Sequence, residues 1–471
     1  MDDFKLVIDG RLVEGGRRTP VLNPATEEPV AQCPRADVAQ LNEAVAAAKR
    51  AFPVWSATPR SERSAGLHAI ASAMEARFQE FVALLTQEQG KPTDQASYEI
   101  GGSIGFLRYF AALDLPDKIL REDDSVRIVE QRYPLGVVAA ITPWNFPILL
   151  LMMKVGPALI SGNTMVIKPA PTTPLTTLLF GKICATQLPA GVVNVIVDEN
   201  DLGGLLTQHP DIAKVAFTGS TATGKKVAAA ASDTLKRMTL ELGGNDAAIV
   251  LDDADPKVVA NGIFNGATLN AGQVCLAIKR VYCAENIYDA LCDELAELAR
   301  AAVVDDGAKQ GTQIGPIQNR QQYEKILELI EDARLNGNVI AGGDRVEGPG
   351  YFIRPTIVRD IANDTRLVQE EQFGPVLPVM KYADLDEAIA NTNDSVFGLG
   401  GTVWSSDLER AAKVASQIQS GVVWVNKHLD LPFDVPFGGA KQSGIGAENG
   451  VEGLEEYSQR RIVNIGKDLV T

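Results

Sequence analysis

From Val137 onward the chain alternates short apolar runs with helically spaced segments, and this restricts the fold more than any other feature. The runs are 137–142, 164–168, 192–197 and 214–218. Segments 147–160, 175–188, 201–209 and 221–231 have helical spacing. A strand apolar on both faces must be covered on both faces, so the pattern predicts a parallel sheet with helices on each side. Such a doubly wound sheet is a dinucleotide-binding candidate. A second series follows Glu241, with strands expected at 247–251, 280–283, 376–380, 401–403 and 422–425. Helices are expected there at 256–270, 287–302, 320–336, 385–392 and 407–420. A second α/β domain is the economical reading.

Ahead of these series, FKLVIDGRLVEGG reads as a hairpin turning at Asp9-Gly10. A helical stretch is expected over 36–88, broken near Pro53 and Pro59. Segments 125–133 and 460–464 are strand-like and fit neither series. They would extend a sheet or pair with another subunit.

Composition enters as a set of exclusions. At 471 residues two or three domains are expected. A hydrophobic share of 45% with 22% charged residues argues against disorder. A net charge of -16 repels phosphate backbones, so no nucleic-acid partner is expected. The most apolar run, 148–153, stops at Lys154, far short of the ~20 residues a membrane span needs. The acidic start Met-Asp-Asp-Phe-Lys lacks a signal-peptide core, and a cytoplasmic location is expected. Three histidines leave little material for a His base or a His-rich metal site, and no metal is expected. Five cysteines with no Cys-x-x-Cys pair look like reduced thiols.

Four motifs carry chemistry. Phe217–Lys226 (FTGSTATGKK) follows an expected strand and opens an expected helix, where Gly219 and Ser220 would let a phosphate approach the helix N-terminus. It matches G-x-x-x-x-G-K, but Lys226 stands where a P-loop needs Ser or Thr for Mg²⁺, which disfavours nucleotide hydrolysis. In LELGGN, Glu241 precedes a double glycine at a strand end, a place where a carboxylate is usually solvated or paired. In GQVC, Cys275 follows a glycine turn that would aim the thiol. A free thiol has a pKa of about 8.5, so only a few per cent is thiolate at neutral pH, a share that a nearby positive dipole or a cofactor would raise. In TPWNFP, Asn145 sits at a strand's C-terminal end, with an amide N–H suited to a developing oxyanion.

Together these motifs, with IKPA (167–170), EEQFGP (370–375) and PFGGAKQSG (436–444), resemble the NAD(P)-dependent aldehyde dehydrogenase superfamily, in order and over essentially the whole chain. The resemblance implies a Rossmann-like dinucleotide-binding domain over 1–117 and 138–241, and an α/β catalytic domain over 242–457. It also implies oligomerisation strands at 118–137 and 458–471, and a homodimer or homotetramer. By that pattern Cys275 attacks the aldehyde, and Asn145 with the Cys275 amide holds the oxyanion. Glu241 activates the water that hydrolyses the thioester, and its separation from Cys275 is typical of hydrolytic members. Lys168 would meet the adenosine ribose, Gly219 and Ser220 the pyrophosphate, and Trp144 and Gly243 the cofactor cleft. Glu371 and Phe373 would position the nicotinamide end.

Two departures bear on the cofactor. Pro171 replaces the Glu with which many NAD-preferring relatives repel a 2′-phosphate, and Ala222 replaces an acid common among relatives. NAD is favoured and NADP stays open. The tunnel implied by position is Phe146, Leu150, Met153, Val274, Leu276, Leu429, Leu431 and Phe437. All are apolar, so a hydrophobic aldehyde is expected: medium-chain aliphatic, terpenoid or aromatic. Lys427 in the same loop keeps a carboxylate-bearing semialdehyde as the alternative. A thiol esterase without redox chemistry is the other.

Overall fold

Five parallel strands form the centre of the first sheet, in the spatial order Val193–Val195, Thr164–Lys168, Val137–Ile141, Ile212–Thr218, Arg237–Glu241. The computed structural model describes residues 4–467. Every residue of 137–141 and of 164–168 is buried, as expected of strands sandwiched between helices. The chain starts at 137–141, steps outward through 164–168 and 193–195, then crosses back to 212–218 and 237–241. The order therefore reverses between 137–141 and 212–218, and a crevice opens at the carboxyl ends there. TPWNFP and FTGS follow those two strands, so the topology puts two of the four motifs side by side. The expected hairpin, Leu6–Ile8 with Arg11–Val13, extends one edge, and the short strand Gly444–Ile445 caps the other beside Glu241.

The second sheet has the order Asn338–Ala341, Thr356–Arg359, Val376–Tyr382, Ile278–Ala284, Asp246–Val250, Gly400–Trp404, Val422–Val425. Only its first pair is antiparallel. Each sheet has its own buried apolar cluster. Val274, Leu276, Leu399, Trp424 and Phe437 nevertheless join the first cluster, so the cysteine loop is packed against the nucleotide-binding half. The two leftover segments are the strands Val126–Pro134 and Ser458–Gly466, paired antiparallel, with Lys118–Glu122 on the far side. Residues 468–471 of the expected C-terminal extension, and residues 1–3 at the other end, lie outside the described residues.

Some expectations are corrected. Pro53 does not break its helix, which runs over Val38–Ala57. A proline there removes one backbone hydrogen bond, and burial of Leu41, Val45, Ala48 and Trp55 outweighs that loss. The break falls at Thr58–Pro59, and the stretch continues as Arg60–Ala76 and Phe78–Gln89. The helix expected over 407–420 ends at Ala415. The one expected over 256–270 ends at Thr268, because Asn270 and Ala271 turn left-handed (φ 51° and 55°). Nothing in the expected series covers the helix Thr93–Ala112. Three glycines lower its intrinsic propensity, while buried Ile100, Ile104, Leu107 and Phe110 hold it by packing.

Candidate active site

Three successive left-handed residues, Asn270, Ala271 and Gly272, turn the chain sharply before Cys275. A side chain on Gly272 would collide with the Gly374 carbonyl, so only glycine closes that turn. Cys275 is half-buried, whereas Cys33, Cys184, Cys283 and Cys292 are buried. Burial pushes its thiol up to about 12, and the Lys279 ammonium opposes that rise. Lys279 is itself buried and donates to the carbonyls of Val274 (2.9 Å) and Cys275 (2.6 Å). It sits four residues beyond the thiol, in the strand Ile278–Ala284, and supplies a positive charge that the sequence reading did not assign to any residue.

The TPWNFP turn is held from below by two buried residues that the sequence reading did not single out. Lys91 donates to the Asn145 carbonyl (2.9 Å), lies 3.7 Å from the Phe146 ring centroid, and pairs with Glu99. Glu99 accepts the amides of Ile148 (3.0 Å) and Leu149 (3.2 Å), at the start of the helix Leu149–Ile160. One Asn145 Nδ2–H goes to the Gln273 carbonyl at 2.9 Å. That bond orients the amide and leaves its second N–H available.

Two spaces meet at Cys275. An apolar cavity of about 840 Å³ contains all eight expected tunnel residues in its wall: Phe146, Leu150, Met153, Val274, Leu276, Leu429, Leu431 and Phe437. Its opposite wall is one face of the glycine helix, with Tyr98, Gly101, Gly102, Gly105, Phe106 and Tyr109 at helical spacing. That spacing around a glycine triplet was a readable signal. The second space is a cleft of about 190 Å³ whose wall includes Trp144, Gly219, Ser220, Gly243, Glu371 and Phe373. Asn145, Leu150 and Cys275 line both spaces.

The cleft suits a dinucleotide. Ser220 caps the helix Thr221–Ala231, accepting from the Thr223 amide. The helix therefore points its N-terminus at the cleft, where anions are favoured. A side chain on Gly243 would collide with the Glu371 carboxylate, and the buried Thr218 hydroxyl in the same wall has no partner. Trp144 and Phe373 stand edge to face, 5.4 Å apart. The Glu371 carboxylate is fixed by the Gly244 amide (2.9 Å) and lies 3.9 Å from Lys279. Lys168 is set apart from this cleft and pairs with buried Asp198 at 2.6 Å. Arg35, distant in sequence, donates to the carbonyls of Asp198 and Pro171, both at 3.1 Å.

Glu241 is in neither wall. It is 3% exposed at its strand end, and neither carboxylate oxygen has a hydrogen-bond partner. Burial raises its pKa well above 4.5, the charge of Glu448 adds to the rise, and Lys154 opposes it. Lys154 and Glu448 form a buried pair beside it. The usual strand-end carboxylate, solvated or paired, is not what stands here.

A thiol and an amide N–H, Cys275 and Asn145, thus stand together where the cleft at a helix N-terminus meets the apolar cavity. The chain belongs to the aldehyde dehydrogenase family, whose model matches residues 12–463. It is similar to a phenylacetaldehyde dehydrogenase of Pseudomonas fluorescens (38% identity, covering 97% of this chain and 95% of that one). It is also similar to aldehyde dehydrogenase 1A1 of Rattus norvegicus (39% identity, 95% and 91%). Among solved structures, the NAD+ complex of an aldehyde dehydrogenase from Bacillus cereus matches with a TM-score of 0.97, at 34% identity over 99% and 97% of the two chains. The protein is an aldehyde oxidoreductase of α/β fold, with a dinucleotide-binding and a catalytic sheet. Among the described residues no helix is long and apolar enough to cross a membrane.

Proposed function

We propose that this protein oxidises an apolar aldehyde, medium-chain aliphatic, terpenoid or aromatic, to its carboxylic acid with NAD. The observation that carries this reading is the shared wall: Cys275 and Asn145 border both the apolar cavity and the anion-binding cleft. Cys275 gives up its proton to water, and its Sγ attacks the aldehyde carbon, forming a thiohemiacetal. The free Asn145 Nδ2–H and the Cys275 amide donate to the oxyanion. NAD, when bound along Trp144, Gly219, Ser220, Gly243, Glu371 and Phe373, supplies the hydride acceptor. The acyl group is left as a thioester on Cys275. Glu241 takes a proton from water, and the hydroxide attacks the thioester and frees the thiol.

The cavity supports an apolar substrate over a semialdehyde. Among the described residues in its wall there is no Lys or Arg. Lys427, the one cation expected nearby, pairs with Asp430 outside that wall. Asp198 supports NAD over NADP, because its buried carboxylate beside Lys168 would repel a 2′-phosphate, while Arg35 is committed to carbonyls. A homodimer or homotetramer is supported by the strands 118–122 and 458–466, which expose Ile119, Leu120, Ile462 and Ile465 along unpaired edges. Five unpaired cysteines suit a reducing cytoplasm.

A panel of aldehydes read at the absorbance of reduced cofactor, with NAD and NADP in parallel, tests the reading. Faster oxidation of succinic semialdehyde than of hexanal or benzaldehyde, by kcat/KM, would reject the apolar substrate. Light scattering at the mass of a single chain would reject the oligomer.

A further inference from the structure

One polar side chain in the apolar cavity has nothing to bind. Asn449 is in the wall, 0% exposed, and neither its Oδ1 nor its Nδ2 has a hydrogen-bond partner. Leaving a buried amide unpaired is destabilising, because it loses its hydrogen bonds to water and gains none in return. Its backbone is also costly, at φ 61° and ψ 171°, a region that only glycine occupies freely. The position is fixed all the same. The Gly450 amide donates to the Phe433 carbonyl (2.9 Å), and Phe437 and Glu448 exchange backbone hydrogen bonds in both directions. A sequence under no functional demand would place glycine here to relieve the strain, or an apolar side chain to match the wall.

We infer that Asn449 is the polar anchor of the substrate cavity, and that the substrate is an aromatic aldehyde carrying a neutral hydroxyl group. This rests on the aldehyde-oxidation reading above. An amide offers one acceptor and two donors, and a single hydroxyl answers both kinds, donating to Oδ1 and accepting from Nδ2. A carboxylate would satisfy only Nδ2 and would bring an unpaired charge into an apolar space. An unsubstituted hydrocarbon would satisfy neither atom. The aromatic part follows from the same wall. Phe433 packs edge-on to Phe106 with centroids 4.6 Å apart and lies 6.2 Å from Tyr109. Gly105 makes room for that arrangement, since a Cβ there would come within 2.7 Å of the Phe433 ring. A substrate ring joins such a cluster at the spacing aromatic pairs prefer, ~4.5–7 Å.

The test compares benzaldehyde with its 2-, 3- and 4-hydroxy isomers and with 6-hydroxy-2-naphthaldehyde, for wild type and Asn449→Gly. Glycine removes the amide and relaxes the backbone, so the variant should melt no lower than wild type. The wild type is expected to favour at least one hydroxylated aldehyde over its parent at least tenfold in kcat/KM. In Asn449→Gly that ratio should fall to within twofold of one. No hydroxyl preference in the wild type, or an unchanged preference in the variant, overturns the inference and leaves the amide to water alone. Protection of Cys275 from iodoacetamide by hydroxyacetophenones against acetophenone, without cofactor, reads the same anchor apart from oxidation. If no aldehyde is oxidised, the reaction reading fails, and the protection ratio still decides the anchor.

Discussion

Replacing Glu241 with Gln keeps the shape of the side chain and removes its capacity to take a proton. The carboxylate has no hydrogen-bond partner to lose, so the variant should fold. Burial, reinforced by Glu448, holds its pKa well above 4.5, which brings the group toward the range where a general base works at neutral pH. Loss of such a base costs ~10²–10⁴ in rate, or about 3–5 kcal/mol of barrier. The loss should fall only on thioester hydrolysis. Stopped-flow absorbance should show a first turnover of about one reduced cofactor per site, followed by a steady rate lower by that factor. The stability of the protein should respond as well. A carboxyl whose folded pKa is raised holds its proton longer in the native state, so wild-type stability falls as pH rises from the ordinary Glu range through the raised value. Gln does not titrate, so denaturant unfolding should favour the variant increasingly as pH rises above the ordinary Glu range. A steady rate within threefold of wild type would refute the assignment of Glu241 as the base. Loss of the first turnover together with the steady rate would move Glu241 to the earlier step.

Lys279→Met removes the cation that opposes the rise in the Cys275 pKa, and iodoacetamide alkylation of Cys275 at pH 8 should slow about tenfold, one pKa unit. An unchanged pH profile of alkylation would leave Lys279 a purely structural donor. Asp198→Asn should tighten NADP more than NAD, read as quenching of tryptophan fluorescence on titration, and equal changes for both cofactors would remove Asp198 from selectivity. Glu88 accepts the Leu175 and Thr176 amides at 2.7 and 2.9 Å, and its pKa is raised to about 7 by burial. Its native state is protonated below that value, so wild type should lose up to about 3 kcal/mol as pH climbs from 4.5 to 7, and the disadvantage of Glu88→Gln should shrink over the same window in denaturant titrations. A pH-independent difference would contradict that. Cys275→Ala should abolish turnover while cofactor binding by calorimetry persists.

The two α/β series were legible because a strand buried on both faces has to be written as an apolar run. Elements 164–168, 221–231, 320–336 and 422–425 match their expected bounds, and most others differ by a few residues. The helix Thr93–Ala112 was hidden by its glycines, which depress local propensity while serving the cavity wall. The break at Pro53 was over-read because a proline's local cost is modest beside a buried helix face. The tunnel residues were legible only through resemblance. Nothing in their spacing says that 146–153, 274–276 and 429–437 face one space.

The amino-acid order alone specified most of the strands and helices and the strand ends that carry the candidate side chains, because those depend on local pattern and chemical type. It could not specify what surrounds each group, because pKa and hydrogen bonding depend on neighbours brought from far along the chain. Lys91 and Glu99 hold the Asn145 turn, Lys154 and Glu448 flank Glu241, and Asp198 takes up Lys168. Asn449 was an ordinary polar residue before a helix until the fold enclosed it in an apolar wall and left its amide unpaired. Burial turns a residue type into an energetic demand, and burial is decided only when the sheets and helices close.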